Sequence, residues 1–133
     1  MNEQPPDVTI AVVDDDPRIL ASLASLLESA DYAVRPFASA AAFIESDCLA
    51  EIDCLISDID MPVMDGFEVS RVVHAARPEL PIILITGHPE LLNRIPLADP
   101  KHYRLFKKPF DGQELLTAIR DALQHQGPGT PSS

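Results

Sequence analysis

The stretch that decides the fold is Cys54-Leu55-Ile56-Ser57-Asp58-Ile59-Asp60-Met61-Pro62-Val63-Met64-Asp65-Gly66. It begins as a short apolar run, reaches an acid at Asp58 and continues into a segment punctuated by proline and glycine. This pattern predicts a buried strand that delivers one carboxylate to the edge of a sheet, followed by a loop. Because burying a charge is costly, Asp58, with Asp60 two residues later, indicates a site that meets a cation or a phosphate.

Strand-like and helix-like segments alternate along the chain. The predicted strands are 8–13, 32–37, 53–57, 81–87 and 103–106. The strand at 32–37 contains Pro36, which cannot donate to a ladder and therefore favours the edge of a sheet. Near-continuous apolar strands that alternate with amphipathic helices predict an α/β protein with one parallel sheet and helices on both of its faces.

Residues that cap or break helices mark the predicted helix boundaries. The predicted starts are Asp16 with Pro17 after it, Ser39, Asp65, and Asp111 with Glu114 at capping-box spacing. The fourth helix, over 89–95, is expected to be short or irregular because Pro96 follows it. The residues expected to face the core in the second and third helices are Phe43, Ile44, Phe67, Val69, Val72, Val73 and Ala76.

Polar residues follow the predicted strands at their carboxyl ends, where sheets of this kind bind ligands. They are Asp14-Asp15-Asp16, Asp58, Thr86 and Lys107-Lys108. Crowded carboxylates repel one another unless a cation compensates them, and oxygen ligands favour Mg²⁺ or Mn²⁺ over zinc or copper. One of the carboxylates can instead attack phosphorus and form an acyl phosphate, and a hydroxyl and a lysine beside Asp58 suit the oxygens of that group.

Each of these residues also has a purely structural interpretation. A threonine at the end of a strand is commonly a turn or cap residue, and an acidic run such as 14–16 is favourable at a helix N-terminus without any ligand. The functional interpretation gains weight because the acids, the hydroxyl and the lysine all fall at the same edge of one predicted sheet.

Composition restricts the class of protein. With 133 residues, the chain is expected to form one domain over 1–126, and 127–133 to be a flexible tail or the start of a linker. The net charge of −11 disfavours direct binding of nucleic acid by this segment. The absence of a long apolar run and of a signal peptide, together with sparse cysteines, predicts a cytoplasmic protein with no membrane contact.

Four motifs, taken together, resemble the receiver domain of bacterial two-component response regulators over residues 7–126. They are Val12-Val13-Asp14-Asp15-Asp16, Ser57-Asp58-Ile59-Asp60-Met61-Pro62-Val63-Met64-Asp65-Gly66, Ile85-Thr86-Gly87-His88 and Lys108-Pro109-Phe110. The last two are most similar to the FixJ-type subgroup, whose members often precede a helix-turn-helix output domain. The resemblance implies a flavodoxin-like receiver fold with a five-stranded parallel sheet in the order 2-1-3-4-5, and a signalling domain rather than an enzyme.

The resemblance also implies roles for the residues at the predicted edge. Asp58 would be the phosphoacceptor, taking a phosphoryl group from a sensor histidine kinase or a histidine phosphotransfer protein. Mg²⁺ would be held by the carboxylates of Asp14, Asp15 and Asp58 and by the backbone carbonyl of Asp60. Thr86 would be the switch hydroxyl.

The phosphate-pairing lysine would be Lys108, with Lys107 as its competitor. Family members commonly aim this lysine with a cis bond to the following proline, here Pro109. Gly87 would leave open space for the incoming phosphodonor. Asp60 and His88 each lie two residues beyond a switch residue and would border the attacking water, with a solvated loop imidazole as the alternative interpretation of His88.

The sequence departs from the family pattern at two places. Leu105 stands where the family usually has a Tyr or Phe that swings inwards on phosphorylation, and Phe106 beside it is expected to point elsewhere. The segment 94–100 contains two prolines where the family has an uninterrupted helix and a small turn. Dimerisation and output contacts made by that face are therefore expected to be weakened or different.

The predicted mechanism is a two-state switch in which charge added at Asp58 recruits Thr86 and Lys108 and changes the surface that partners bind. A second copy of the chain, giving a homodimer, is one of the partners considered. One rival is a pseudo-receiver, a binding module that keeps the fold without phosphorylation. Another is a phosphatase of the haloacid dehalogenase type, because Asp58-Ile59-Asp60 satisfies its two-aspartate pattern. A flavin-binding flavodoxin is disfavoured, because three aspartates stand where its phosphate loop would be.

Overall fold

The strands and helices follow the predicted alternation. The computed structural model describes residues 8–87, 104–108 and 110–124. The elements are β1 (Thr9–Val13), α1 (Pro17–Ser29), β2 (Ala33–Phe37), α2 (Ala40–Ser46), a 3₁₀ turn (Leu49–Glu51), β3 (Cys54–Asp58), α3 (Gly66–Ala76), β4 (Ile82–Thr86), β5 (Arg104–Lys107) and α4 (Gly112–Gln124).

All five strands join one parallel sheet in the order β2-β1-β3-β4-β5, which confirms the predicted topology. The central strand β3 is buried over its whole length, as expected of a strand covered on both faces. The edge strand β2 contains Pro36, in agreement with the prediction. Because β3 extends one residue further than predicted, Asp58 is the last residue of the strand itself.

Each face of the sheet supports its own hydrophobic core. On one face, Ile10 and Ile56 of the sheet pack with Leu23 and Leu27 of α1 and with Leu115 of α4. The side chains of successive strand residues point to opposite faces, so the neighbouring residues form the second core. That core contains residues from β1, β3, α2 and α3, among them Val13, Leu55, Phe43, Val69 and Val73. The sheet is therefore a rigid platform for the groups at its carboxyl edge.

Side-chain oxygens cap the helices at the predicted residues. The Asp16 carboxylate accepts from the Arg18 N–H, and Pro17 is the first residue of α1. The remaining caps are Ser39 accepting from Ala42, Asp65 from Glu68 and Asp111 from Gln113. Each such cap typically stabilises a helix by about 1 kcal/mol, so the loops that follow β1 and β3 have fixed ends.

Three residues predicted to face the core point outwards instead. Ile44 is 40% exposed and Val72 is 44% exposed, and Ala76 is exposed as well. In α3 the buried stripe is formed by Val69 and Val73, four residues apart, with Phe67 at its margin. Val72 and Ala76 lie outside this stripe, because the apolar run there is wider than the face that one helix can bury.

Several predictions fall outside the described residues: the short fourth helix, the segment 94–100, the Lys108–Pro109 bond and the tail at 127–133. No helix within the described part of the chain has the length and hydrophobicity required to cross a bilayer.

Candidate functional site

Four strand ends converge at the carboxyl edge of the sheet. Val13 of β1 pairs with Ser57 of β3, so the next residues along the two segments, Asp14 and Asp58, are neighbours. Asp58 pairs with Ile85, which puts Thr86 one step further along β4. Thr86 in turn pairs with Lys107, and the Lys108 N–H donates to the Thr86 carbonyl oxygen at 2.7 Å. The register of the sheet therefore brings the predicted acids, hydroxyl and lysine together.

Lys108 contacts both buried acids. Its Nζ lies 3.1 Å from Asp58 Oδ1 and 3.4 Å from Asp14 Oδ2. The first contact is an ion pair with poor hydrogen-bond directionality, and Asp58 Oδ1 is left without a hydrogen-bond donor among the described residues. Lys107, its competitor in the sequence, is exposed at the end of β5. Of the two adjacent lysines, Lys108, the one that the resemblance implies, is therefore the one in contact with the acids.

Three carboxylates form a cluster that can hold a metal ion. One oxygen each from Asp14, Asp15 and Asp58 lies within 4.8 Å of the others. Asp14 and Asp58 are only 2% and 4% exposed, whereas Asp15 is exposed. Asp14 Oδ1 accepts from the Asp16 N–H at 2.9 Å, which orients this carboxylate. An all-oxygen set that is open to water on one side fits Mg²⁺ better than a soft metal.

The charges in this cluster are incompletely compensated. Burial, together with the repulsion from Asp14, raises the pKa of Asp58 from 3.8 to about 6, although the Lys108 ammonium opposes the shift. Burial also raises the pKa of Asp14, against the Asp16 N–H and Lys108. For Lys108, burial lowers the pKa, but the two carboxylates outweigh it and the net shift is upwards. One ammonium therefore does not neutralise the cluster, and a divalent cation fits it.

The other predicted site residues surround this cluster. Thr86 is fully buried at the end of β4. Within 8–87, 104–108 and 110–124, a Cβ added at Gly87 would meet only the Lys108 side chain, at 3.6 Å or more. Asp60 is exposed in the loop after β3, and His88 lies outside the described residues. Leu105 packs into the core on the α3 face and Phe106 into the opposite core, as strand alternation predicts.

Two residues that contact the main chain of Asp58 escaped the sequence reasoning. A Cβ at Gly66 would lie 2.5 Å from the Asp58 carbonyl oxygen. The hydroxyl of Ser57, which is fully buried, donates to the same oxygen at 3.0 Å. Both residues belong to the motif around Asp58 that carries the resemblance, but the sequence assigned neither of them a role at the site.

Known proteins provide an independent comparison. The family model described as the response regulator receiver domain matches residues 10–120. The response regulator protein TmoT of Ectopseudomonas mendocina is 37% identical over 124 residues, which cover 93% of this chain and 56% of TmoT. The transcriptional regulatory protein FixJ of Bradyrhizobium diazoefficiens is 31% identical over 123 residues, covering 92% of this chain and 60% of FixJ. The chain thus spans about half the length of the curated relatives it matches.

Solved structures give the same result for the fold. The signal receiver domain of an HD domain-containing protein from Pseudomonas fluorescens superimposes with a TM-score of 0.80 at 35% identity, covering 90% of this chain and 97% of that one. Full-length FixJ from B. japonicum gives a TM-score of 0.77 at 32% identity, covering 91% of this chain and 60% of FixJ.

Proposed function

The chain belongs to the response regulator receiver domains, and we propose that it is a phosphoacceptor switch in which Asp58 receives a phosphoryl group. The observation that carries the proposal is the convergence of Lys108 on Asp58 and Asp14, because these groups come from three different strand ends. A buried acid, a second acid and an ammonium in contact are the set that forming and stabilising an acyl phosphate requires.

Asp58 is the nucleophile in the proposed reaction. With a pKa of about 6, its carboxylate is mostly ionised at neutral pH even before a cation binds. One of its oxygens attacks the phosphorus of a phosphohistidine and forms a new O–P bond. The N–P bond breaks, its electron pair returns to the imidazole of the donor, and that ring nitrogen takes up a proton from water. The donor is a sensor histidine kinase or a histidine phosphotransfer protein.

Asp14, Asp15 and Asp58 are the residues that would hold Mg²⁺, with the backbone carbonyl of Asp60 as a further ligand. When bound, the ion offsets the repulsion of the carboxylates and the negative charge of the transferring group. Asp14 is already oriented for this role by the Asp16 N–H. The oxygen set is incomplete without water or substrate, as is usual for Mg²⁺ in phosphoryl transfer.

Lys108 and Thr86 would bind the phosphoryl group that is added to Asp58. Phosphorylation adds about −1.5 to −2 charges and three acceptor oxygens to Asp58. Lys108 exchanges its contact with Asp58 Oδ1 for a phosphoryl oxygen, and the Thr86 hydroxyl donates to another. Because the Lys108 N–H is bonded to the Thr86 carbonyl, the ends of β4 and β5 move together. The surface next to these ends then changes, which an output domain or a second copy of the chain would detect.

Leu105 makes this switch differ from the usual family pattern. It is half-buried against the core on the α3 face, and no aromatic ring stands at its position to swing inwards. The proposed switch therefore operates through the strand ends and their loops. Gly87 has no side chain, and among the described residues only Lys108 lies close to where one would be, which leaves room there for the donor to approach.

The test is phosphorylation by acetyl phosphate with Mg²⁺, read on a phosphate-affinity gel. The wild-type chain is expected to shift fully and Asp58→Asn to remain unshifted. The control is Asp47→Asn, which changes an exposed acid just after α2 and is expected to shift like wild type. A full shift of Asp58→Asn would reject Asp58 as the acceptor. An unshifted wild type that still binds its partner would favour the pseudo-receiver, and repeated hydrolysis of a phosphate monoester would favour the phosphatase.

A further inference from the structure

Gly66, the first residue of α3, lies directly against the phosphoacceptor strand. A Cβ at this position would come within 2.5 Å of the Asp58 carbonyl oxygen and 2.7 Å of the Ile59 Cα. Both are backbone atoms, which cannot rotate out of the way as the end of a side chain can. Any other residue would therefore push α3 and the end of β3 apart by roughly half an ångström or more.

Two hydrogen bonds hold the Asp58–Ile59 peptide, and a third holds the peptide that follows it. The Gly66 N–H donates to the Ile59 carbonyl oxygen at 2.9 Å, and the Ile59 N–H donates to Ile85 of β4 at 2.9 Å. The buried Ser57 hydroxyl donates to the Asp58 carbonyl oxygen at 3.0 Å. The Asp58–Ile59 peptide is thus clamped between the N-terminus of α3 and the neighbouring strand.

We propose that Gly66, assisted by Ser57, is a positioning residue for phosphoryl transfer because it fixes the Asp58–Ile59 peptide and, through it, the Asp58 carboxylate. The expected change in the rate of phosphorylation rests on the proposed function. The expected shift of the Asp58 carboxylate rests on geometry alone. The Asp58 carboxylate lies 3.1 Å from Lys108 Nζ, so a shift of the peptide by roughly half an ångström changes this contact by a comparable distance. Misplacing a reacting group by about 1 Å can cost roughly 100-fold in rate.

Gly112 offers a matched control. It is also the first residue of a helix, and a Cβ there would meet Leu26 Cδ1 at 3.2 Å. That atom is the end of a side chain at the contact of α4 with α1, and it can move. Gly112→Ala therefore tests what a glycine-to-alanine change does to the fold without touching the main chain of Asp58.

The experiment compares Gly66→Ala, Ser57→Ala and Gly112→Ala with wild type. Each variant is melted, its initial rate of phosphorylation by acetyl phosphate is measured well below its Tm, and the Mg²⁺ concentration that gives half the maximal rate is determined. Crystal structures of wild type and Gly66→Ala give the distance from Asp58 Oδ1 to Lys108 Nζ.

Gly66→Ala is expected to lengthen that distance and to slow phosphorylation roughly 10- to 100-fold, whereas Gly112→Ala keeps the wild-type rate whatever its Tm. Ser57→Ala, which removes one hydrogen bond without a clash, is expected to slow it less. An unchanged distance with a wild-type rate in Gly66→Ala overturns the proposal. If that variant does not fold, a wild-type rate in Ser57→Ala overturns it. Should wild type itself resist phosphorylation, the proposed function fails, and the measured distance still decides the positioning role.

Discussion

The ammonium of Lys108 contacts the phosphoacceptor candidate Asp58, with 3.1 Å between Nζ and Oδ1. The same ammonium lies 3.4 Å from Asp14 Oδ2, so one cation is shared between two buried carboxylates. Burial raises the pKa of both acids, and the shared ammonium only partly opposes the shift. One ammonium therefore compensates the two buried carboxylates incompletely.

Replacing Lys108 removes this shared cation. Lys108→Met is expected to destabilise the metal-free chain at pH 8 by about 1–3 kcal/mol, because two buried carboxylates then lack a counter-charge. Lys107→Met is the control, since Lys107 is exposed at the end of β5 and its removal is expected to change little. Urea unfolding in the presence of a chelator measures the free energy of unfolding of both variants. Equal losses for the two variants would contradict the assignment of Lys108 to the site.

The stability of the metal-free chain is expected to depend on the ionisation of Asp58. The pKa of its carboxyl is about 6 in the folded chain and 3.8 when unperturbed, so between these values the folded state binds more protons than the unfolded state. The contribution of Asp58 to the free energy of unfolding therefore falls as the pH rises through this interval. The raised pKa of Asp14 acts in the same direction.

Asp58→Asn isolates this effect. With a chelator, the variant is expected to gain stability over wild type as the pH rises, reaching on the order of 2 kcal/mol above pH 6. Added Mg²⁺ is expected to stabilise wild type more than Asp58→Asn, because the variant lacks one ligand. Urea unfolding at pH 5 and pH 7.5, with and without Mg²⁺, provides the measurement. A variant less stable than wild type at pH 7.5 in chelator would refute the electrostatic account.

The resemblance of the motifs predicted the sheet order, and the pattern of strands and polar residues predicted the edge at which the site forms. Strand ends in a parallel sheet lie together whatever the details of packing, so Asp14, Asp58 and Thr86 could be grouped from periodicity alone. Periodicity does not fix the end of β5 to one residue, so the choice of Lys108 over Lys107 came from the resemblance and not from the strand pattern.

Packing between elements was harder to predict. Val72 and Ile44 are apolar and lie next to buried residues, yet the helix face that a neighbour covers is narrower than the apolar run. The close approach of Gly66 to Asp58 depends on the distance between α3 and β3, which no local pattern encodes. These are consequences of tertiary geometry, and they account for the errors and omissions of the sequence reasoning.

Asp60 is expected to govern how long the phosphorylated state lasts. It is exposed in the loop just beyond Asp58, where a carboxylate can orient the water that attacks the acyl phosphate. Asp60→Ala is expected to lengthen the lifetime by roughly 3- to 10-fold, less than the loss of a full general base would. Glu45→Ala, an exposed acid on α2, is the control. The lifetime is measured as the decay of phosphorylated protein on a phosphate-affinity gel after acetyl phosphate is removed. An unchanged decay in Asp60→Ala would contradict this hypothesis.

Val63 carries backbone strain in the loop that follows Asp58. Its φ is +73°, and the Met64 N–H donates to the Pro62 carbonyl oxygen at 2.8 Å, which together describe a γ-turn with positive φ around a β-branched residue. The Val63 side chain is fully exposed, so no packing offsets the cost of this conformation. Val63→Gly is expected to stabilise the chain by about 1 kcal/mol and to raise its Tm by about 3–5 °C.

Val63→Ala separates strain from packing. Alanine keeps the Cβ that makes positive φ unfavourable, so it is expected to gain much less than glycine. Thermal melts of wild type and both variants, in the same buffer with a chelator, decide between the two causes. A gain for glycine alone places the strain at the Cβ of Val63, because glycine also loses more entropy on folding and would otherwise be the less stable of the two. Equal melting temperatures for all three chains would mean that the turn is relaxed in solution and stores no strain beside Asp58.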